Sequence, residues 1–183
     1  PVDTGGPACL DDCTVPDLDI GLNFFGLDRA AFPVDHALTQ WFWFRIGTDA
    51  PERSLDTLTF LGVSLPAGND TLALTYGDAL AGDPIRVVVT YVLSGPNVTD
   101  TTIVESVTIT NISGSPIDLY WFEYTDFDLD SQFGLDSAEL VGPGHIRQTS
   151  SLLSRVDVLV SDGPLPDHFE IAPFSELLNR LED

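Results

Sequence analysis

Residues 101–110 alternate apolar and polar with period two. Ile103, Val107 and Ile109 fall on one side and threonines on the other, which predicts a half-buried β-strand. Residues 38–46 carry Trp41, Phe42, Trp43 and Phe44 in succession, so both faces are apolar and the segment reads as a central strand. Residues 84–93, rich in Val and Ile, predict a third strand, stopped by Ser94, Gly95, Pro96 and Asn97. Shorter strands are expected over 55–63 and 70–76, with a turn at 65–69 between them, and over 117–127, 139–141, 146–151 and 156–160. No helical period intervenes until residues 173–181, where Phe174, Leu177, Leu178 and Leu181 share one face of a short helix. The expected fold is all-β: an antiparallel β-sandwich, of jelly-roll or immunoglobulin-like topology, with one short C-terminal helix. Residues 1–24 lack a core pattern and read as an N-terminal arm, leaving 25–183 as the sandwich domain.

The two aromatic ladders, Trp41 to Phe44 and Tyr120, Trp121, Phe122 and Tyr124, read as core. Adjacent strand residues point to opposite faces, so neither ladder makes a broad platform for sugar rings. Facing one another across the sandwich, they would lie about 10 Å apart.

Charge narrows the partners. Twenty-nine acidic residues stand against 7 basic ones, all arginine, for a net charge of -22. Because 43% of the chain is hydrophobic, this acid belongs to a folded surface and not to a disordered tail. Such a surface repels nucleic acid and anionic lipid, and leaves cations, neutral glycans and copies of the chain itself as partners. No apolar run is long enough for a membrane-spanning helix, and the first residues do not form a signal peptide.

The two cysteines, Cys9 and Cys13, are spaced C-x3-C. A metal pair would need further ligands, and a redox pair usually has two residues between the cysteines. The expected outcome is a local disulfide, which implies an oxidising compartment. Sequons at Asn69, Asn97 and Asn111 sit beside turn residues and are candidate glycosylation sites, in keeping with secretion.

Asp126, Asp128 and Asp130 alternate along an acidic loop that also contains Asp136. A curling backbone turns such carboxylates toward one hard cation, so these four are the candidate calcium ligands. The EF-hand pattern fails, because Ser131 holds its glycine position and Ser137 its final glutamate. The competing reading is a solvated acidic loop. Glu105 and Glu123 interrupt apolar strand faces and matter if buried. As a glycosidase pair they would need to lie about 5 Å apart in a cleft. No G-x-S-x-G element occurs, and His36, His145 and His168 read as loop residues, so no catalytic residue is assigned.

Residues 89–130 contain T-N-x-S-G at Thr110, Asn111, Ser113 and Gly114, then an aromatic strand running into Tyr124, Asp126, Phe127 and Asp128. This stretch, with a weaker echo over 169–181, resembles secreted bacterial proteins of the group with PEP-type C-terminal sorting signals. The resemblance implies an extracellular or cell-surface β-protein and no particular reaction. Members of that group continue with a further strand where this chain stops at Asp183, which implies either processing or a sandwich completed by a strand from elsewhere. The expected function is a secreted structural protein: a self-assembling surface, biofilm-matrix or filament subunit using strand complementation, with residues 18–24 as donor. The alternative is a calcium- or glycan-binding cell-surface module, and the third reading is a glycan hydrolase.

Overall fold

The computed structural model describes residues 39–65, 71–97, 100–131, 134–152 and 154–181. Cys9, Cys13, the donor segment 18–24, His36 and Asn69 lie outside the described residues. Among the described residues, ten strands, all paired antiparallel, form three sheets. In the first, β1 (Thr39–Ile46) lies between the short β2 (Arg53–Ser54) and β7 (Leu119–Asp126). The second is a meander in chain order: β3 (Phe60–Ser64), β4 (Thr71–Tyr76), β5 (Ile85–Asn97) and β6 (Asp100–Asn111). The third joins β8 (Ser137–Gly142), β9 (His145–Thr149) and β10 (Arg155–Leu159), and α1 (Phe174–Leu181) follows. The all-β expectation, with one short C-terminal helix, holds.

Alternation builds the core. Leu74 on β4 stands opposite Val89 on β5, and Val89 opposite Val107 on β6, so one face of the meander is a continuous apolar row. Leu72, Ile85, Val87 and Tyr91 extend that face, and the threonines of β6 point away from it. Trp41, Phe42, Trp43 and Phe44 are each no more than 2% exposed, so both faces of β1 are covered, as its two-sided apolar pattern requires. The Trp41 indole N–H is satisfied by the Ser54 hydroxyl at 2.9 Å. Leu177, Leu178 and Leu181 of α1 pack against the same core.

Four details depart from the expectations. The aromatic ladders do not face one another across two sheets. β1 and β7 pair edge to edge, with Trp41 opposite Tyr124 and Trp43 opposite Phe122. Phe42 meets Trp121 at 5.2 Å between ring centroids, and Trp43 meets Tyr124 edge-on at 6.1 Å. Tyr120 is exposed and stacks under the Arg45 guanidinium at 4.4 Å. Residues 55–63 are not one strand: a 3-10 turn at Leu55–Thr57 interrupts them, with Thr57 donating to the Ser54 carbonyl and Leu58 N–H to that of Leu55. β5 does not stop at Ser94 but runs to Asn97, with pairing that slips between Ser94 and Asn97. A bulge there tolerates Pro96, which has no N–H to give. Phe174, at the first position of α1, is exposed beyond the edge of the core.

One glycine has a backbone reason. Gly77 adopts φ +96 directly after β4, and a Cβ there would run into the Ile85 carbonyl. Its N–H donates to Thr59 at 2.8 Å and its carbonyl accepts from Arg86, which ties the end of β4 to its neighbours.

Candidate functional site: a carboxyl pair between two sheets

The polar residues that interrupt the core converge on one place. Tyr91 and Glu105 are direct cross-strand partners on β5 and β6, on the apolar face of the meander. On the first sheet Glu123 stands opposite Phe42, which puts it on the same face as Gln40 and one diagonal step away. Gln40, only 3% exposed, spans the two sheets. Its amide nitrogen donates to Glu105 Oε2 at 2.9 Å, and its carbonyl accepts from the Tyr91 hydroxyl at 3.1 Å. The same amide also bonds toward Glu123. Four strands thus supply one network.

Its electrostatics follow from burial. Burial, and then the charge of Glu123, push the Glu105 carboxyl up to about 8. Glu123 is also raised by burial of its carboxyl among packed side chains, opposed by its bond to Gln40. As a residue Glu123 remains open to solvent, and water at that open side screens part of the effect. Burial raises the Tyr91 phenol too, with both glutamates adding to it. One glutamate is solvent-open and its mate is tied inward through two buried side chains. Two carboxyls so placed can share one proton between them.

A second acidic cluster lies past the end of β7. Asp126, Asp128 and Asp136 approach closely enough to act on one another: burial and then the Asp128 charge raise Asp126, and burial and then Asp136 raise Asp128. Asp136 Oδ2 accepts from the Leu129 N–H and from Gln148, both at 3.0 Å. Asp128 Oδ2 and Asp136 Oδ1 are shielded from solvent and lack a hydrogen-bond partner. The buried Tyr124 hydroxyl faces Asp126 without reaching good hydrogen-bond geometry. Asp130 leaves the group. Its backbone is left-handed, φ 58, and its carboxylate accepts from the hydroxyls of Ser150 and of Ser154, the latter at 2.7 Å. Among the described residues no three Asp, Glu, His or Cys side chains are arranged to hold a metal ion.

No protein-family model, curated protein or solved structure matches this chain. Its function is therefore argued from geometry. Among the described residues no helix is long and apolar enough to cross a membrane.

The other predicted positions fall in structural roles. Asn111 ends β6, where its amide donates to the Ser115 carbonyl at 2.7 Å and accepts from the Ser113 N–H at 3.0 Å, holding a turn through Gly114. Asn97 is the last residue of β5. His145 is not a loop residue. It opens β9 and meets Asp157 at 2.7 Å, on the face where Arg147 and Arg155 also bind that carboxylate. These partners hold Asp157 below the usual carboxylate range despite the opposing effect of burial. Sequence reasoning passed over Gln40, Tyr91 and Asp157. Period two carried a signal for each: a lone amide in an aromatic strand, a phenol in a Val-rich one, and charged residues at alternate positions of 145–147 and 155–157.

Proposed function

We propose that this chain is a secreted structural subunit that associates with copies of itself through an open sheet edge and the apolar surface beside it. The observation that carries this reading is β3. Among the described residues it is an edge strand, paired only to β4, and Phe60, Leu61, Val63 and the following Leu65 are 54%, 44%, 49% and 64% exposed. An edge with apolar side chains on both faces and free backbone groups is a template for strand addition. Exposed Leu159, Leu165, Phe169 and Ile171 in and after β10 add further apolar surface. Secretion is supported by the likeness of residues 89–130 to sorting-signal proteins. Packing copies at -22 each demands screening by salt or divalent cations. Sedimentation velocity tests this: wild type should form larger species as concentration rises, and Val63→Lys should suppress them at unchanged thermal stability. Equal behaviour of the two proteins removes β3 from the account.

Calcium binding by the 126–136 loop is the second reading, and the solvent-shielded, unpartnered oxygens of Asp128 and Asp136 favour it. Holding an ion would require the loop to close further. Calorimetric titration with calcium should then give heat with wild type and none with Asp128→Asn; no heat with either rejects it.

A further inference from the structure

The carboxyl pair joins two particular strands. Glu105 lies on β6, the edge of the four-stranded sheet, and Glu123 on β7, the edge of the three-stranded one. The connection through Asn111 and Ser113 links these same strands in the chain, so the end of β6 leads directly into β7. Between them Gln40 is the bridge, fixed from behind by Tyr91. The groups facing the pair are Gln40 on β1, Tyr91 on β5 and, beside Tyr91, Tyr76 on β4. None of these three carries positive charge, so none of them offsets the repulsion when both carboxyls ionise.

We propose that Glu105, Gln40 and Glu123 form a proton-operated clasp that holds the β6 edge to the β7 edge. With one carboxyl protonated, a single negative charge is shared across the Gln40 amide and the edges stay together. When the proton leaves through the solvent-open Glu123 side, two carboxylates confront each other across the bridge and the edges separate. The sign follows from proton counting. The folded chain holds a proton that the unfolded chain has released above about pH 4.5, so stability falls as pH rises from there and levels off above the folded value near 8. The clasp is independent of the self-association reading, since it operates within one chain.

The test is hydrogen exchange of the β6 and β7 amides in the full chain between pH 6 and pH 9, corrected for intrinsic exchange rates and accompanied by melting curves. In wild type, protection of these strands should fall by about tenfold or more, the consequence of one pKa unit of differential protonation. Glu105→Gln keeps the bridge but cannot ionise, and its protection should change by less than about twofold after the same correction. Other titrating groups keep their contribution in the variant, so the difference between the two profiles isolates the pair. A flat wild-type profile, or a variant that falls as wild type does, overturns the clasp. If Glu105→Gln does not fold, Glu123→Gln takes its place, together with a carbon NMR titration of the wild-type glutamate carboxyls. A carboxyl titrating near 8 supports the clasp, and all of them titrating near the ordinary glutamate value overturn it.

Discussion

Replacing Gln40 with Leu keeps nearly the same volume in the core and removes the side chain that bonds both sheets at the carboxyl pair. The 2.9 Å bond to Glu105 and the 3.1 Å bond from Tyr91 go, together with the amide's interaction with solvent-open Glu123, which water replaces. At pH 6, below the raised Glu105 value of about 8, the carboxyl pair keeps one proton, so the costs of neutral hydrogen bonds set the lower bound. Each buried group left without its partner costs about 1–3 kcal/mol. The apolar Leu side chain returns about 1 kcal/mol through burial. The net loss is then about 1–5 kcal/mol, against the ~5–15 kcal/mol that holds an ordinary domain together. Urea unfolding followed by tryptophan fluorescence reads this well, because Trp41 and Trp43 are buried in the folded chain. With a slope of about 2 kcal/mol/M, the midpoint should drop by about 0.5–2.5 M. A drop smaller than about 0.3 M at unchanged slope would mean that the Gln40 bridge contributes nothing to stability, and the reasoning from buried hydrogen bonds would fail.

Gly77→Ala should destabilise by more than about 2 kcal/mol, because strain at positive φ adds to a Cβ against the Ile85 carbonyl. Gly82, at φ +89 with open space around it, is the control: Gly82→Ala should cost only about 1–2 kcal/mol by thermal denaturation, and equal losses would discount the close approach. Asp157→Asn removes the centre of the His145, Arg147 and Arg155 cluster. Since the folded Asp157 carboxyl lies below its unfolded value, its stabilisation is present above about pH 4 and disappears as pH falls through the folded value. The variant should therefore melt lower than wild type at pH 6, and the gap should close in strong acid. A gap that does not depend on pH would assign the effect to packing.

Local pattern carried the strands and little of their arrangement. β6 was legible because Ile103, Val107 and Ile109 alternate with threonines, and the buried face of the strand needs no more than that. Trp41 to Phe44 were legible as core for a similar reason, since four large apolar residues in succession leave no face for water. Pairing of β1 with β7 was not legible, because register between strands far apart in the chain depends on packing that no local window holds. That pairing, together with the packing of β1 on the meander, brings Gln40 and Glu123 to Glu105. The sequence therefore marked Glu105 and Glu123 as exceptions without showing that they meet. The break at 55–57 escaped notice because hydrogen bonds at Ser54 and Leu55 override an apolar run that would suit a strand. In the acidic loop the alternation of Asp126, Asp128 and Asp130 suggested a common target, but a left-handed backbone at Asp130 turns its carboxylate to Ser150 and Ser154.

In the proposed assembly, copies of this chain join through exposed apolar strand surface once their charge is screened. Negative-stain electron microscopy of the purified chain at high concentration, in salt with calcium and again with both lowered together, tests it most directly. The account predicts ordered multimers or filaments in the first condition and their loss in the second. Dispersed single particles in both conditions would contradict it.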